Sequence, residues 1–414
     1  MFRFNKRVFF GFAALMLLGP FVLVRPTSAA SAPSDPTMPA AGRVFNHPGL
    51  LHTEADFARM RAKVSAGAQP WTEGWEKLIA NPHASLNWRP RPTETIVRGK
   101  VRDLKENYSL LYNDIAAAYA CGLRWHVSGD RAYADKAVEI MNGWGSTLKR
   151  IDGNSDRYLA AGIYGYEFAN AAEMMRNYDG WKPADFQRFQ SMMMDVFYSM
   201  NHDFLLHHNG AKIDHYWCNW DACNMASAMA IGVLCDRRDL YDEAVDYFKH
   251  GDGNGAIEHA VNHLYPGGLG QWQESGRDQG HSILGIALLG AVCEMAWNQG
   301  DDLYGYDNNR FLAGAEYVAK YNLGDDVPYT PYTNSDVTQP VISPGGRGNM
   351  RPCWEMVYNH YVNRRGIDAP FCKAFAAKVR PEGGGGDYGP NSGGYDQLGY
   401  GTLAYTREAS ESPR

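Results

Sequence analysis

Residues 110–149 read LLYNDIAAAYACGLRWHVSGDRAYADKAVEIMNGWGSTLK, and the change of character half-way along this stretch decides the fold. Its first part, 110–123, is apolar nearly all round and rich in alanine, the composition of a helix buried on every side. Its second part, 130–149, gathers apolar residues on one face and charges on the other, as a helix of an outer layer does. The same two kinds alternate along the chain. Segments 158–175, 221–235, 281–297 and 351–362 repeat the buried kind, and segments 183–200, 239–250 and 308–321 the amphipathic kind. An inner helix followed by an outer one, recurring roughly every 50 to 70 residues, predicts an all-α fold, an α/α toroid of inner/outer helical hairpins. A stacked α-solenoid is the rival, but its units would share a consensus, and these do not. Strand-like alternation is hard to find.

In such a ring the inner helices run parallel, so their N-termini meet at one mouth. The sequence places Asn107 and Tyr108 there, then Arg157 and Tyr158, then His215, Trp217, Asn219 and Trp220. Glu274, Arg277 and His281 follow, and finally Arg347, Asn349 and Arg351. Helix N-termini favour anions, aromatic rings offer flat faces to sugars, and Arg and His suit carboxylates. The mouth therefore reads as a cleft for an anionic, ring-shaped ligand.

The 414 residues, 45% hydrophobic and 13% aromatic, suffice for one large core. At the N-terminus MFRFNKR precedes an apolar run and the small residues TSAASA, which reads as a secretory signal over 1–30, with a retained anchor as the rival. This predicts a periplasmic or secreted protein without stable membrane insertion. Residues 31–43 read as a Pro/Ala/Ser linker, 44–405 as the toroid and 406–414 as a tail. Cleavage would remove Arg3, Lys6, Arg7 and Arg25 and take the formal charge from −6 to −10, which argues against a nucleic-acid partner. The seven cysteines fit neither a metal-ligand spacing nor a small disulfide scaffold, and buried thiols are expected, with one or two disulfides left open.

Several motifs carry both a structural and a chemical reading. In QWQESGRDQGHSILG (271–285) Glu274, Arg277, Asp278 and His281 share one helical face; the acids suit a helix start, whereas His281 opens an otherwise apolar helix. Asn219 and Asp221 in HYWCNWDACNMAS suit capping as well as catalysis. SPGGRGNMRPCWEMVYNHY (343–361) is a Gly-rich loop entering a helix, without the Lys-Ser/Thr of a phosphate loop; seven-residue spacing puts Arg351 and Tyr358 on one face. Tyr329 and Tyr332 lie on a loop able to cover the mouth. GGGGDYGPNSGGYDQLGYGTL (383–403) is either a mobile tail or a cover over the cleft.

With these residues in view, HPGLLHTEADFARMRAKV, residues 110–148, WCNWDACN and ESGRDQGH resemble the alginate-lyase superfamily of polysaccharide lyases, most of all polysaccharide lyase family 38, over about residues 46–405. The resemblance implies a monomeric α/α toroid that cleaves 1,4-linked polyuronates such as alginate or glucuronan by β-elimination, with an anionic polysaccharide as its partner and no metal or organic cofactor. It implies Asn219 as a carboxylate contact, His281 as neutraliser or base, Arg351 as the cation beside the catalytic Tyr, and Tyr358 as acid. His215 and Tyr358 remain alternatives as base, Arg277 as a carboxylate contact and Tyr332 as acid. Trp217, Trp220, Glu274, Arg347, Arg157 and Tyr158 are the expected substrate-binding residues. Two rivals are a glycoside hydrolase using Glu274 and Asp221, and a non-catalytic polysaccharide-binding protein.

Overall fold

The computed structural model describes residues 44–101, 103–388 and 395–408. The expected signal and linker, and residues 409–414 of the expected tail, lie outside them. Thr53 caps α1 (Glu54–Ser65), its side chain accepting from the Asp56 N–H while the Asp56 carboxylate accepts the Thr53 N–H at 2.9 Å. Then come α2 (Trp71–Ala80), α3 (Ser109–Ser128), α4 (Arg131–Thr147), α5 (Asp156–Glu173), α6 (Pro183–Met192), α7 (Ser199–His207), α8 (Cys218–Leu234), α9 (Arg238–His250) and the short α10 (Ile257–Ala260). The series closes with α11 (Gln279–Asn298), α12 (Tyr306–Leu323), α13 (Trp354–Tyr358), α14 (Pro370–Val379) and α15 (Gly401–Ala404).

The inner helices α3, α5, α8, α11 and α13 pack side by side; α3, α8, α11 and α13 rest on the amphipathic helices α4, α9, α12 and α14, and α5 on the π-helical turn Met193–Tyr198 that follows α6 and on α7. The fold is the α/α toroid. Every residue of α8 is buried, which is why that segment carries no polar face. Small residues bring the inner helices together. A Cβ on Gly162 of α5 would lie 2.4 Å from Cys223 Sγ and 2.8 Å from the Asn224 backbone nitrogen on α8. Between the chain ends, α15 packs on α1 and α2, a Cβ on Gly74 would meet the Leu403 backbone nitrogen at 2.6 Å, and Arg407 pairs with Asp56 at 2.8 Å. α11 is long and apolar enough to span a bilayer, yet it is buried within the ring. All seven cysteines are unpaired, and six are buried.

Two departures from the sequence reading matter for the site. Among the described residues there are three two-stranded ribbons: parallel β1 (Thr95–Val97) with β2 (Arg150–Asp152), antiparallel β3 (Val261–Tyr265) with β4 (Leu269–Trp272), and antiparallel β5 (Tyr332–Thr333) with β6 (Thr338–Gln339). Runs this short are below what alternation reveals. β1–β2 ties the loop ahead of α3 to the loop ahead of α5, whereas β3–β4 is a hairpin ahead of α11 and β5–β6 a hairpin between α12 and α13. The last inner helix is also shorter than expected, beginning at Trp354 rather than at 351 and continuing as a π-helical turn over Asn359–Arg364.

Candidate active site

The N-terminal ends of the inner helices enclose a cleft of about 460 Å³. Arg98, Tyr108 and Tyr112 come from the approach to α3 and its first turn, Asp156 and Tyr164 from α5, and Asn219 and Trp220 from α8. Arg277, Asp278 and His281 come from the start of α11, and Asn349 and Arg351 from the loop ahead of α13. The Gly-rich segment supplies Tyr395 and Asp396 to the wall.

His281 is the best-defined proton acceptor. Asp278 is the N-cap of α11: one carboxylate oxygen accepts the His281 N–H at 2.8 Å, and the other lies 2.6 Å from Nδ1. Burial pushes the Asp278 carboxyl up, but the hydrogen bond from His281 and its charge outweigh that and hold it below the usual range. An ionised Asp278 places the hydrogen on Nδ1 and leaves the lone pair on Nε2, where Arg277 Nη2 donates at 3.1 Å. Arg277 is steadied by Glu274 at 2.8 Å and by the face of Trp217, 5.1 Å away. Glu274 is fully buried, which raises its pKa against the pull of Arg277, and it accepts from the Asn219 N–H and Nδ2, both at 3.3 Å. Asn219 Oδ1 is buried with no partner among the described residues, an acceptor left for a ligand.

Three arginines line the cleft, and their pairing differs. Arg277 has Glu274; Arg351, 3% exposed, has Asp396 at 3.0 Å and donates to the Gly280 carbonyl at 3.2 Å. Arg98 has no carboxylate within ion-pairing distance among the described residues. Its guanidinium lies 5.2 and 5.5 Å from the rings of Tyr108 and Tyr164 and donates to the Tyr164 hydroxyl at 3.2 Å. Tyr112 stacks on Tyr395 at 4.0 Å. Burial raises the hydroxyl pKa of Tyr112, Tyr164 and Tyr395, so these phenols stay protonated.

The sequence-predicted residues divide. Asn219, Trp220, Arg277, His281 and Arg351 line the cleft, and Glu274 and Trp217 stand directly behind Arg277. The others sit elsewhere. Tyr358 is absent from the lining and packs half-buried against the core near Arg380. Tyr158 turns to α7, donating to Asp203 at 2.8 Å, and Arg157 lies over its ring and reaches Asn209. His215 is an exposed partner of Asp336. The Tyr332 hydroxyl is occupied by Gln273 and Asn254, and burial raises its pKa. Arg347 bonds the carbonyls of Tyr321 and Asp325. Asp221 is buried outside the cleft, held by His208 at 2.9 Å and the Gly255 N–H at 2.8 Å. Asp221 therefore does not join Glu274 in the cleft as the acid pair expected for a hydrolase. Arg98 and Tyr164 carry no sequence signal that marks them; Tyr395 and Asp396 belong to the Gly-rich segment read as a tail or a cover over the cleft.

An aromatic mouth lined by three arginines and three aspartates, with a proton-accepting histidine at the inner-helix ends of an α/α toroid, has the chemistry of a carbohydrate-active enzyme. The sequence profile described as alginate lyase matches residues 59–327, and the chain belongs to that family of polysaccharide lyases. Solved structures agree on the fold. Alginate lyase A1-III from Sphingomonas species A1 superposes with a TM-score of 0.59 at 13% identity, covering 90% of this chain and 100% of that one. A tyrosine-to-phenylalanine variant of alginate lyase A1-III, complexed with a tetrasaccharide, gives 0.58 at 15% identity over 90% and 99%. An alginate lyase from Bacteroides ovatus gives 0.56 at 13% identity over 87% and 100%. Among curated proteins none matches.

Proposed function

We propose that the protein cleaves 1,4-linked polyuronate, with alginate as its first candidate substrate and glucuronan as its second, by β-elimination. The carrying observation is the pairing of Arg98, a cation without a direct carboxylate contact among the described residues, with a histidine whose Nε2 lone pair faces the same cleft. In this reading Arg98, together with Arg277, neutralises the uronate carboxylate, making the C5 proton acidic enough to remove. Asn219 Oδ1 accepts from a sugar hydroxyl or the protonated carboxyl. His281 Nε2 takes the C5 proton once the carboxylate draws Arg277 Nη2 away from it. The C–H electron pair becomes the C4=C5 double bond, the C4–O4 bond breaks, and a wall tyrosine protonates the departing O4. His281 then returns its proton to solvent, which recharges the phenol. No step calls on a metal. The charged, apolar and small-residue order of the first 30 residues supports action outside the cytoplasm, checked by N-terminal sequencing of exported protein.

Polymannuronate, polyguluronate and glucuronan, incubated separately, decide the substrate through ultraviolet absorbance of the unsaturated product and product length followed together. Chain shortening without absorbance supports hydrolysis instead. Binding without shortening, unchanged in His281→Ala, supports a polysaccharide-binding protein.

A further inference from the structure

A second, shallower depression of about 380 Å³ lies outside the cleft, lined by Pro82, Ser85, Asn87, Trp88, Arg89 and Arg91. No acid lines it. Arg89 and Arg91 are exposed and make no ion pair among the described residues, on a molecule whose net charge is −6. The Trp88 indole is fixed by donating Nε1 to the buried Asp114 carboxylate at 2.9 Å.

A continuous aromatic path joins this depression to the cleft. Trp88 stacks on His83 at 4.6 Å, His83 meets Tyr395 edge-on at 6.3 Å, and Tyr395 stacks on Tyr112 in the cleft wall at 4.0 Å. His83 is held in register by Asn113, 2.8 Å from its Nε2. Each step is comparable to the length of a pyranose, and the rings on the path are partly exposed. Stacking covers one face of each ring, so the path offers a sugar the remaining, partly exposed ring surface, and the guanidiniums at the far end suit the carboxylates that every residue of a polyuronate bears.

We propose that the Trp88, Arg89 and Arg91 depression is a distal subsite for a uronate residue of the chain held in the cleft, reached along the path Tyr112, Tyr395 and His83. It rests on the polyuronate reading. The cleft alone treats short and long chains alike, whereas the distal subsite rewards length.

The test compares kcat/KM on a mannuronate hexasaccharide with that on a trisaccharide, in wild type and in Arg89→Gln/Arg91→Gln. The hexasaccharide-to-trisaccharide ratio is expected to fall about tenfold in the double variant, equivalent to about 1.4 kcal/mol, and the fall to shrink with added salt. An unchanged ratio overturns the proposal, as does an equal loss on both lengths. Calorimetric binding of the hexasaccharide to His281→Ala, with and without the two Arg substitutions, is the second arm, with about tenfold weaker binding expected and equal affinities overturning it. A wild type that cleaves neither oligosaccharide would remove polymannuronate as the substrate, while the binding arm still decides the subsite.

Discussion

Asp278→Asn separates the two tasks that one carboxylate performs at the start of α11. Asn caps helices as well as Asp does, so the oxygen that accepts the His281 N–H at 2.8 Å is retained in kind. What disappears is the charge 2.6 Å from Nδ1. An amide NH₂ turned toward the imidazole favours the tautomer with its lone pair on Nδ1, which puts a hydrogen on the nitrogen meant to receive the substrate proton. A hydrogen bond to a charged group is worth about 1.5–3 kcal/mol, and losing a residue that orients a functional histidine typically costs roughly 10- to 100-fold. We therefore expect kcat to fall roughly 10- to 100-fold, with KM little changed because Glu274 still holds Arg277. Asp278→Ala should show the same kinetic loss and in addition lose the cap, about 1 kcal/mol of stability. Initial rates from product absorbance and thermal melts of both variants provide the check. An Asn variant with near wild-type kcat, or Asn and Ala variants equally damaged in the melt, would refute the division of labour.

Arg98→Met should raise KM for polyuronate more than it lowers Tm, because the guanidinium is the cleft arginine without a carboxylate partner among the described residues; a normal KM would remove it from substrate binding. Tyr→Phe at Tyr108, Tyr112, Tyr164 or Tyr395 should at one position cost at least roughly 100-fold in kcat, as loss of a general acid does, while Tyr358→Phe does not; the opposite pattern returns the acid to Tyr358. Gly162→Ala forces a methyl to within 2.4 Å of Cys223 Sγ and should destabilise by about 1–3 kcal/mol, read from denaturant unfolding, with an unaffected midpoint counting against the close α5–α8 approach. Burial pushes His52 and His126 down to about 4, so the unfolded chain, titrating near about 6.5, binds more protons between these values. Stability should therefore drain away as pH falls from about 6.5 toward about 4, by up to roughly 3 kcal/mol per histidine, and a flat melting temperature across that range contradicts it.

How much of this was legible follows from what each feature depends on. The toroid was readable because a helix buried on all sides must be apolar on all sides, a property of contiguous residues; α8 and α11 announce themselves in this way. The mouth was readable because parallel inner helices bring their N-termini together, which placed Asn219, Arg277, His281 and Arg351 in one cleft before any coordinates. Arg98 was not readable. It is positioned by the β1–β2 pairing, a three-residue parallel register whose strands are too short to show a period. Tyr164 was hidden for a different reason: it lies within an apolar inner helix, where a tyrosine reads as core.

Tyr358 shows how a correct periodicity argument fails when an element boundary is wrong. Seven-residue spacing aligns two side chains only if one helix contains both. Pro352 lies between them, Cys353 has φ −137°, and α13 begins at Trp354, so Arg351 stands outside the helix with its guanidinium turned to Asp396 and the Gly280 carbonyl. Tyr358 keeps the direction that the helix dictates and packs against the ring's core. Arg351 nevertheless matters to the site, because it joins the first turn of α11 to the Gly-rich segment that supplies Tyr395. Removing it would take away the ion pair of Asp396 and loosen the Tyr395 wall, leaving the Tyr166 hydroxyl on the Asp396 carbonyl, so its loss should impair turnover through the cleft's shape rather than through a missing contact to the sugar.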